Sequence, residues 1–170
     1  MEPEKHIIPT IELEKVILRQ LKPSDRDDIF EAYSDKEAMK FRHNPAPRSM
    51  EDAETMISRS LIDARSDKAI RWGIEERASG KIIGTFVWKI ENGKSESEIG
   101  YSLNKGWWNR GLMTTILSAM VSHLLEKEDV STLIAMTHRL NVASVRLLDK
   151  TGFTRSSEDP KGLITFKKTR

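Results

Sequence analysis

The apolar residues of this chain change period once, and that change restricts the folds open to it. From 69 to 103 the sequence reads as short β-branched and aromatic runs: AIRWGIEE over 69–76, IIGTFVWKI over 82–90 and ESEIGYSL over 96–103. Ala78-Ser79-Gly80-Lys81 and the Asn92-Gly93 pair separate them with hairpin signals, so the three runs predict an antiparallel meander. Beyond it the rule is different. Met113, Ile116, Leu117, Met120, Val121 and Leu124 fall at i, i+3, i+4, i+7, i+8 and i+11, the stripe of an amphipathic helix over 112–127. A strand-like run follows at 131–137 (STLIAMT), then a short helix over 142–150 stopped by Gly152. Phe153 and 163–167 (LITFK) predict a closing hairpin.

Upstream, residues 11–21 (IELEKVILRQL) alternate and then turn apolar at Val16, Ile17 and Leu18, which predicts a first strand ended by Pro23 and Ser24. Asp25, Asp27 and Asp28 suit a helix N-terminus, with Ile29, Phe30 and Tyr33 as the buried stripe. Two prolines make Phe41 to Arg48 a loop. Ser49 and Asp52 resemble a capping box, and Ala53, Met56, Ile57, Leu61 and Ala64 recur at helical spacing over 50–65. The order β-α-α-β-β-β-α-β-α-β-β predicts a mixed α/β (α+β) fold: a mostly antiparallel seven-stranded sheet flanked by helices. The crossover between the fourth and fifth strands makes that pair parallel. With no repeat or linker, the 170 residues are expected to form one domain, 1–9 being an N-terminal extension.

Composition excludes several chemistries. Cys is absent, so a disulfide scaffold, a Cys-based zinc site and a thiol nucleophile are ruled out. The four His, at 6, 43, 123 and 138, lack H-x-x-x-H spacing, so no metal is expected. Lys and Arg number 28 against 26 Asp and Glu, a net charge of +2 that draws neither nucleic acid nor an anionic membrane. No stretch approaches the roughly 18 apolar residues of a membrane span, and Met1 to Pro9 lacks the apolar core of a secretory signal. A cytoplasmic location is expected.

The chemistry concentrates where the period changes. Asn104-Lys105-Gly106-Trp107-Trp108-Asn109-Arg110-Gly111-Leu112-Met113-Thr114 leads into the amphipathic helix. A helix start offers unpaired N–H groups and the positive end of the dipole. Glycine there lets a phosphate approach the backbone, and Arg110 adds charge. Read from these residues alone, the loop is either a pyrophosphate cradle or an ordinary connection with a solvated arginine. It is neither a Walker loop nor GxGxxG.

Trp107 to Thr114 resembles the acyl-CoA pyrophosphate loop, Q/R-x-x-G-x-G/A, of the GNAT N-acetyltransferase superfamily. Leu13 to Asp25 (LEKVILRQLKPSD) resembles the first strand and turn of the branch holding ribosomal-protein N-terminal acetyltransferases of the RimJ/RimL type. Glu98-Ile99-Gly100-Tyr101-Ser102-Leu103 resembles the family's EIGY strand. Asn141-Val142-Ala143-Ser144 with Leu148-Asp149-Lys150-Thr151-Gly152-Phe153 resembles its N-x-x-S…L-x-x-x-G-F segment. The similarity spans nearly the whole chain, in order. Trp108 and Met113 depart from the loop's Gln/Arg and second Gly/Ala, although a backbone amide is present whatever the side chain. Leu148 stands where many relatives carry a Tyr that protonates the departing thiolate.

The resemblance implies direct transfer of an acetyl group from acetyl-CoA to an amine, through a tetrahedral intermediate and without an acyl-enzyme. It implies a V-shaped gap where the fourth and fifth strands splay. The backbone of Tyr101 to Leu103 would align the pantetheine and thioester. The amides of Asn109, Arg110, Gly111, Met113 and Thr114 would hold the pyrophosphate, and Asn141 would bond the pantetheine. Glu98 is the implied general base; on a strand it lies opposite Ile99, Tyr101 and Leu103. The same residue also reads as a solvent-facing carboxylate. Ser144 is the implied donor to the thiolate, or else a polar residue on a helix's first turn.

The acceptor stays open. Deprotonating an α-amine of pKa about 8 costs about 1.4 kcal/mol at pH 7, and a lysine of about 10.4 costs roughly 4–5 kcal/mol. This slightly favours a protein N-terminal amine. A small amine (polyamine, antibiotic or amino acid) and a CoA-binding module without turnover are the alternatives, and a homodimer is left open. His43, His138, Trp72 and Trp88 could line the acceptor site, against commoner loop, structural and packing roles. Selectivity is expected in the 41–48 loop and the 72–94 hairpin.

Overall fold

A computed structural model describes residues 8–42, 46–90 and 93–170. His6, His43 and Asn92, with most of the N-terminal extension, lie outside the described residues.

The expected first strand is two strands. β1 (Ile11–Glu12) pairs antiparallel with β2 (Val16–Arg19), Ile11 facing Leu18 and Glu12 facing Ile17. The Leu13 N–H donates to the Val16 carbonyl at 2.9 Å, and Arg77 Nε donates to the Leu13 carbonyl at 2.8 Å, which closes and holds the turn. Among the described residues the sheet therefore has eight strands and not seven. The switch at Val16 from alternation to an apolar run coincides with the chain folding back.

A 3-10 turn at Pro23–Asp25 leads into α1 (Arg26–Tyr33), and α2 is Met50–Arg65. Ser49 Oγ accepts from the Asp52 N–H at 3.1 Å, as its capping role requires. The Asp52 carboxylate reaches one residue further back than a capping box would, to the Arg48 N–H at 2.8 Å. The remaining elements are β3 (Ala69–Glu76), β4 (Ile82–Lys89), β5 (Glu96–Leu103), α3 (Leu112–Lys127), β6 (Thr132–His138), α4 (Val142–Lys150), β7 (Thr154–Glu158) and β8 (Leu163–Thr169). The hydrogen-bonded order is β1-β2-β3-β4-β5-β6-β8-β7. β2–β3, β6–β8 and β7–β8 are antiparallel, whereas β5–β6 is parallel, with α3 as its crossover.

The chain forms two compact units, Met1–Trp88 with Tyr101–Gly106, and Lys89–Gly100 with Trp107–Arg170. In the first, Leu21, Ile29, Ala32, Tyr33, Ala53, Ile57 and Ile82 form a buried cluster, so the stripes expected on α1 and α2 do meet a core. Trp72 and Trp88 are buried, and Trp72 Nε1 donates to the Pro9 carbonyl at 2.8 Å. In the second, Ile116, Leu117, Met120, Val121 and Leu124 are the buried face of α3, and both α3 and α4 pack on β6.

One glycine in the first unit is dictated by close approach. A Cβ on Gly84 would stand 2.1 Å from the Ser102 carbonyl oxygen and 2.9 Å from Leu103 Cα. Any side chain would push the end of β5 away from β4. The Asn104 N–H, just past β5, donates to the Ile83 carbonyl at 2.6 Å.

Candidate functional site

Ser97, Ile99 and Leu103 of β5 are buried, while Glu98, Tyr101 and Ser102 are half-buried. The parallel ladder joins Glu96 to Thr132 through Ile99 to Ala135; β5 runs on to Leu103 and β6 to His138 beyond that last pair. The Glu98 side chain is 33% exposed, and its Oε1 accepts from Lys89 Nζ at 3.1 Å. Oε2 takes no hydrogen bond from the described residues, which leaves one carboxylate oxygen for water or an amine.

In the first unit, a chain of hydroxyls that sequence reasoning missed begins at Ser102. Its Oγ donates to the Tyr33 oxygen at 2.8 Å, Tyr33 shares a hydrogen with Thr85 Oγ1 at 2.6 Å, and Arg71 Nη1 donates to Thr85 Oγ1 at 2.9 Å. Tyr33 and Thr85 are buried, and the Arg42 guanidinium lies 4.7 Å from the Tyr33 ring centroid. Burial pushes the phenol's pKa up. Arg71, Arg42 and the bonds with Ser102 and Thr85 outweigh it, so the net direction is down from 10.0. The one available signal was a polar Thr85 inside the apolar run IIGTFVW.

The loop before α3 turns through two left-handed residues, Asn109 at φ +60° and Gly111 at φ +70°. Gly111 is the N-cap and supplies no side-chain cap, whereas Ser49 and Asn141 cap α2 and α4. A Cβ at Gly111 would meet nothing within 4 Å. Arg110 is exposed and forms no ion pair among the described residues. Met113 and Thr114 are half-buried in the first turn. A 16-residue helix without a side-chain N-cap, beside a guanidinium that forms no ion pair among the described residues, fits a pyrophosphate.

Asn141 Oδ1 accepts from the Ser144 N–H at 3.4 Å, which makes Asn141 the N-cap of α4. Ser144 is half-buried in that first turn, and Leu148 is fully buried in the core. His138 has a structural role: Nδ1 accepts from the Leu140 N–H at 3.1 Å, so Nε2 carries the hydrogen and donates to the Lys161 carbonyl at 2.8 Å. Trp72 and Trp88 are core residues.

Comparison with known proteins gives a consistent likeness. Residues 15–154 match the model of the acetyltransferase (GNAT) domain family. The chain is 31% identical over 150 residues to the uncharacterized N-acetyltransferase YoaA of Bacillus subtilis (strain 168), covering 88% of this chain and 85% of that protein. A GNAT-family acetyltransferase structure from Bacillus anthracis superposes with TM-score 0.82 at 19% identity, over 95% of this chain and 98% of that one. RimL, a ribosomal L7/L12 α-N-protein acetyltransferase in complex with coenzyme A, superposes with TM-score 0.82 at 17% identity over the same shares, 95% and 98%. At these identities the superpositions show the fold.

Proposed function

This chain belongs to the GNAT acetyltransferase family, and from that premise we propose that it acetylates the α-amine of a protein N-terminus in the cytoplasm, the whole chain acting as one catalytic domain. It is an acetyl-CoA-dependent N-acetyltransferase. The observation that carries the donor side of the site is the start of α3, with left-handed Asn109 and Gly111 and no capping side chain. The amides of Asn109, Arg110, Gly111, Met113 and Thr114 receive the pyrophosphate, with Arg110 as counter-charge. The backbone of Tyr101 to Leu103 and the side chain of Asn141 align the acyl arm. When bound, acetyl-CoA supplies an activated acyl carbonyl.

Glu98 takes the proton from the acceptor amine, directly or through one water, on the oxygen that Lys89 leaves open. Ser144 gives a proton to the departing sulfur and regains one from solvent. The base slightly favours this acceptor class: a carboxylate meets the roughly 1.4 kcal/mol needed for an α-amine more easily than the 4–5 kcal/mol for a lysine. RimL, whose fold this chain shares, is described as an α-N-protein acetyltransferase.

The test is steady-state acetyl transfer to peptide N-termini, N-terminally blocked lysine peptides and polyamines, with wild type and Glu98→Gln. N-terminal transfer should dominate, and Glu98→Gln should lower kcat by about 10²–10⁴ with little change in the KM for acetyl-CoA. Preferred transfer to lysine or polyamine would overturn the acceptor assignment. An unchanged kcat in Glu98→Gln would remove Glu98 as the base.

A further inference from the structure

The first unit contains a groove of about 580 Å³ that none of the expected catalytic or CoA-binding residues lines, although Arg48 of the 41–48 loop and Val87 of the 72–94 hairpin, both in segments expected to set selectivity, do. Its walls are α2, through Asp52, Met56, Arg59 and Asp63, with Arg71 of β3 and Val87 of β4; Arg48 also lines it. Both acidic groups are engaged. Asp63 pairs with Arg59 Nε at 3.7 Å, and Asp52 accepts from the Arg48 N–H at 2.8 Å. Arg71 differs: it is half-buried, and among the described residues its side chain hydrogen-bonds the neutral hydroxyl of Thr85, at 2.9 Å. No carboxylate pairs with it among the described residues. A guanidinium partly withdrawn from water without an anion bears a desolvation cost that a ligand carboxylate would offset, and its planar fork matches a carboxylate in two parallel bonds.

Arg71 is also tied, within the first unit, to the stretch given to the acyl arm. The Thr85–Tyr33–Ser102 hydroxyl chain runs from it to β5, ending within the Tyr101–Leu103 stretch given to the acyl arm. We propose that Arg71 binds a carboxylate carried by the acceptor close to its reacting amine, with Met56 and Val87 as the apolar wall for the atoms between. This rests on the N-acetyltransferase reading and deepens it. The carboxylate has two sources, an acidic side chain near a peptide N-terminus or the α-carboxylate of a free amino acid. Cationic acceptors are disfavoured, because Asp63 is ion-paired with Arg59 and the lining carries Arg48, Arg59 and Arg71 against Asp52 and Asp63.

The experiment compares acetyl transfer to peptides that differ only in Asp or Asn at the second position, and to a free amino acid and its amide. Wild type, Arg71→Gln and Arg71→Lys are assayed. In wild type the carboxylate form of one pair should exceed its neutral partner by about 10–100-fold in kcat/KM, mainly through KM. The pair that responds identifies the source. Arg71→Gln should bring that ratio to about one, and Arg71→Lys should restore part of it. Equal kcat/KM for both members of both pairs in wild type would overturn the proposal, as would a preserved ratio in Arg71→Gln. A uniform loss of rate in Arg71→Gln with the ratio intact would mean a structural role only. If no amine is acetylated although acetyl-CoA binds, the acceptor reading fails separately. Calorimetric binding of the same pairs to the CoA-loaded protein then decides the groove, with equal affinities overturning it.

Discussion

Tyr33 is one of two tyrosines in the chain, and it is enclosed by Arg71, Arg42, Ser102 and Thr85. Replacing it with Phe leaves the Ser102 and Thr85 hydroxyls each short of a partner, at a cost of about 1–3 kcal/mol by denaturant unfolding. The cost should depend on pH. Burial pushes the native phenol up, but the two arginines and two hydroxyls bring it net below its ordinary value, so the folded state releases the proton before the unfolded chain does. The resulting stabilisation is fully present above the unfolded value of about 10 and is lost as pH falls through the lowered native pKa. The stability gap between wild type and Tyr33→Phe should thus widen as pH rises toward the alkaline range. A gap that is flat or narrows would contradict the assignment. Helical spacing placed Tyr33 on a buried stripe; its partner Ser102 lies 69 positions away, where no local pattern reaches.

The three longer helices outside α1 begin in two ways. Ser49 caps α2 and Asn141 caps α4, whereas α3 begins at a left-handed glycine. These starts are legible because a cap is set by a few consecutive residues, and α2, α3 and α4 begin and end where the spacing places them. The difference predicts a separation of effects. Ser49→Ala should lower stability by about 1 kcal/mol and leave the affinity for CoA unchanged. Arg110→Ala should weaken CoA binding by about 3–10-fold at low salt, with the loss shrinking as salt is added, and should leave unfolding unchanged. Calorimetry and denaturant titration of both variants check this. A stability loss in Arg110→Ala without an affinity loss would take the pyrophosphate away from α3.

For the molecule as a whole, binding to the native state raises stability by mass action. Acetyl-CoA at about 100-fold over its Kd should add about 2.7 kcal/mol. For a chain of this size that moves Tm up by about 5–10 °C, increasing with ligand concentration. A Tm insensitive to acetyl-CoA would contradict the donor site. The meander, the closing hairpin and the parallel β5–β6 pair were legible, since hairpin turns leave short-connected strands as neighbours and the α3 crossover makes β5–β6 parallel, whereas β2 beside β3 and β8 beside β6 were not.

The sequence by itself determined the succession of elements, the excluded thiol chemistry and the loop into α3, because periodicity, composition and caps are properties of neighbouring residues. Only the tertiary structure decided the rest. It showed that residues 11–19 fold back as two strands, held by Arg77. It paired Glu98 with Lys89, buried Tyr33 between Thr85 and Ser102, and set Arg71 without a carboxylate on the wall of a groove. Except for the short β1–β2 pairing and for Glu98 and Lys89, which a single hairpin separates, these relations join residues well apart in the chain. They follow from which surfaces become buried together, and no run of consecutive residues records that.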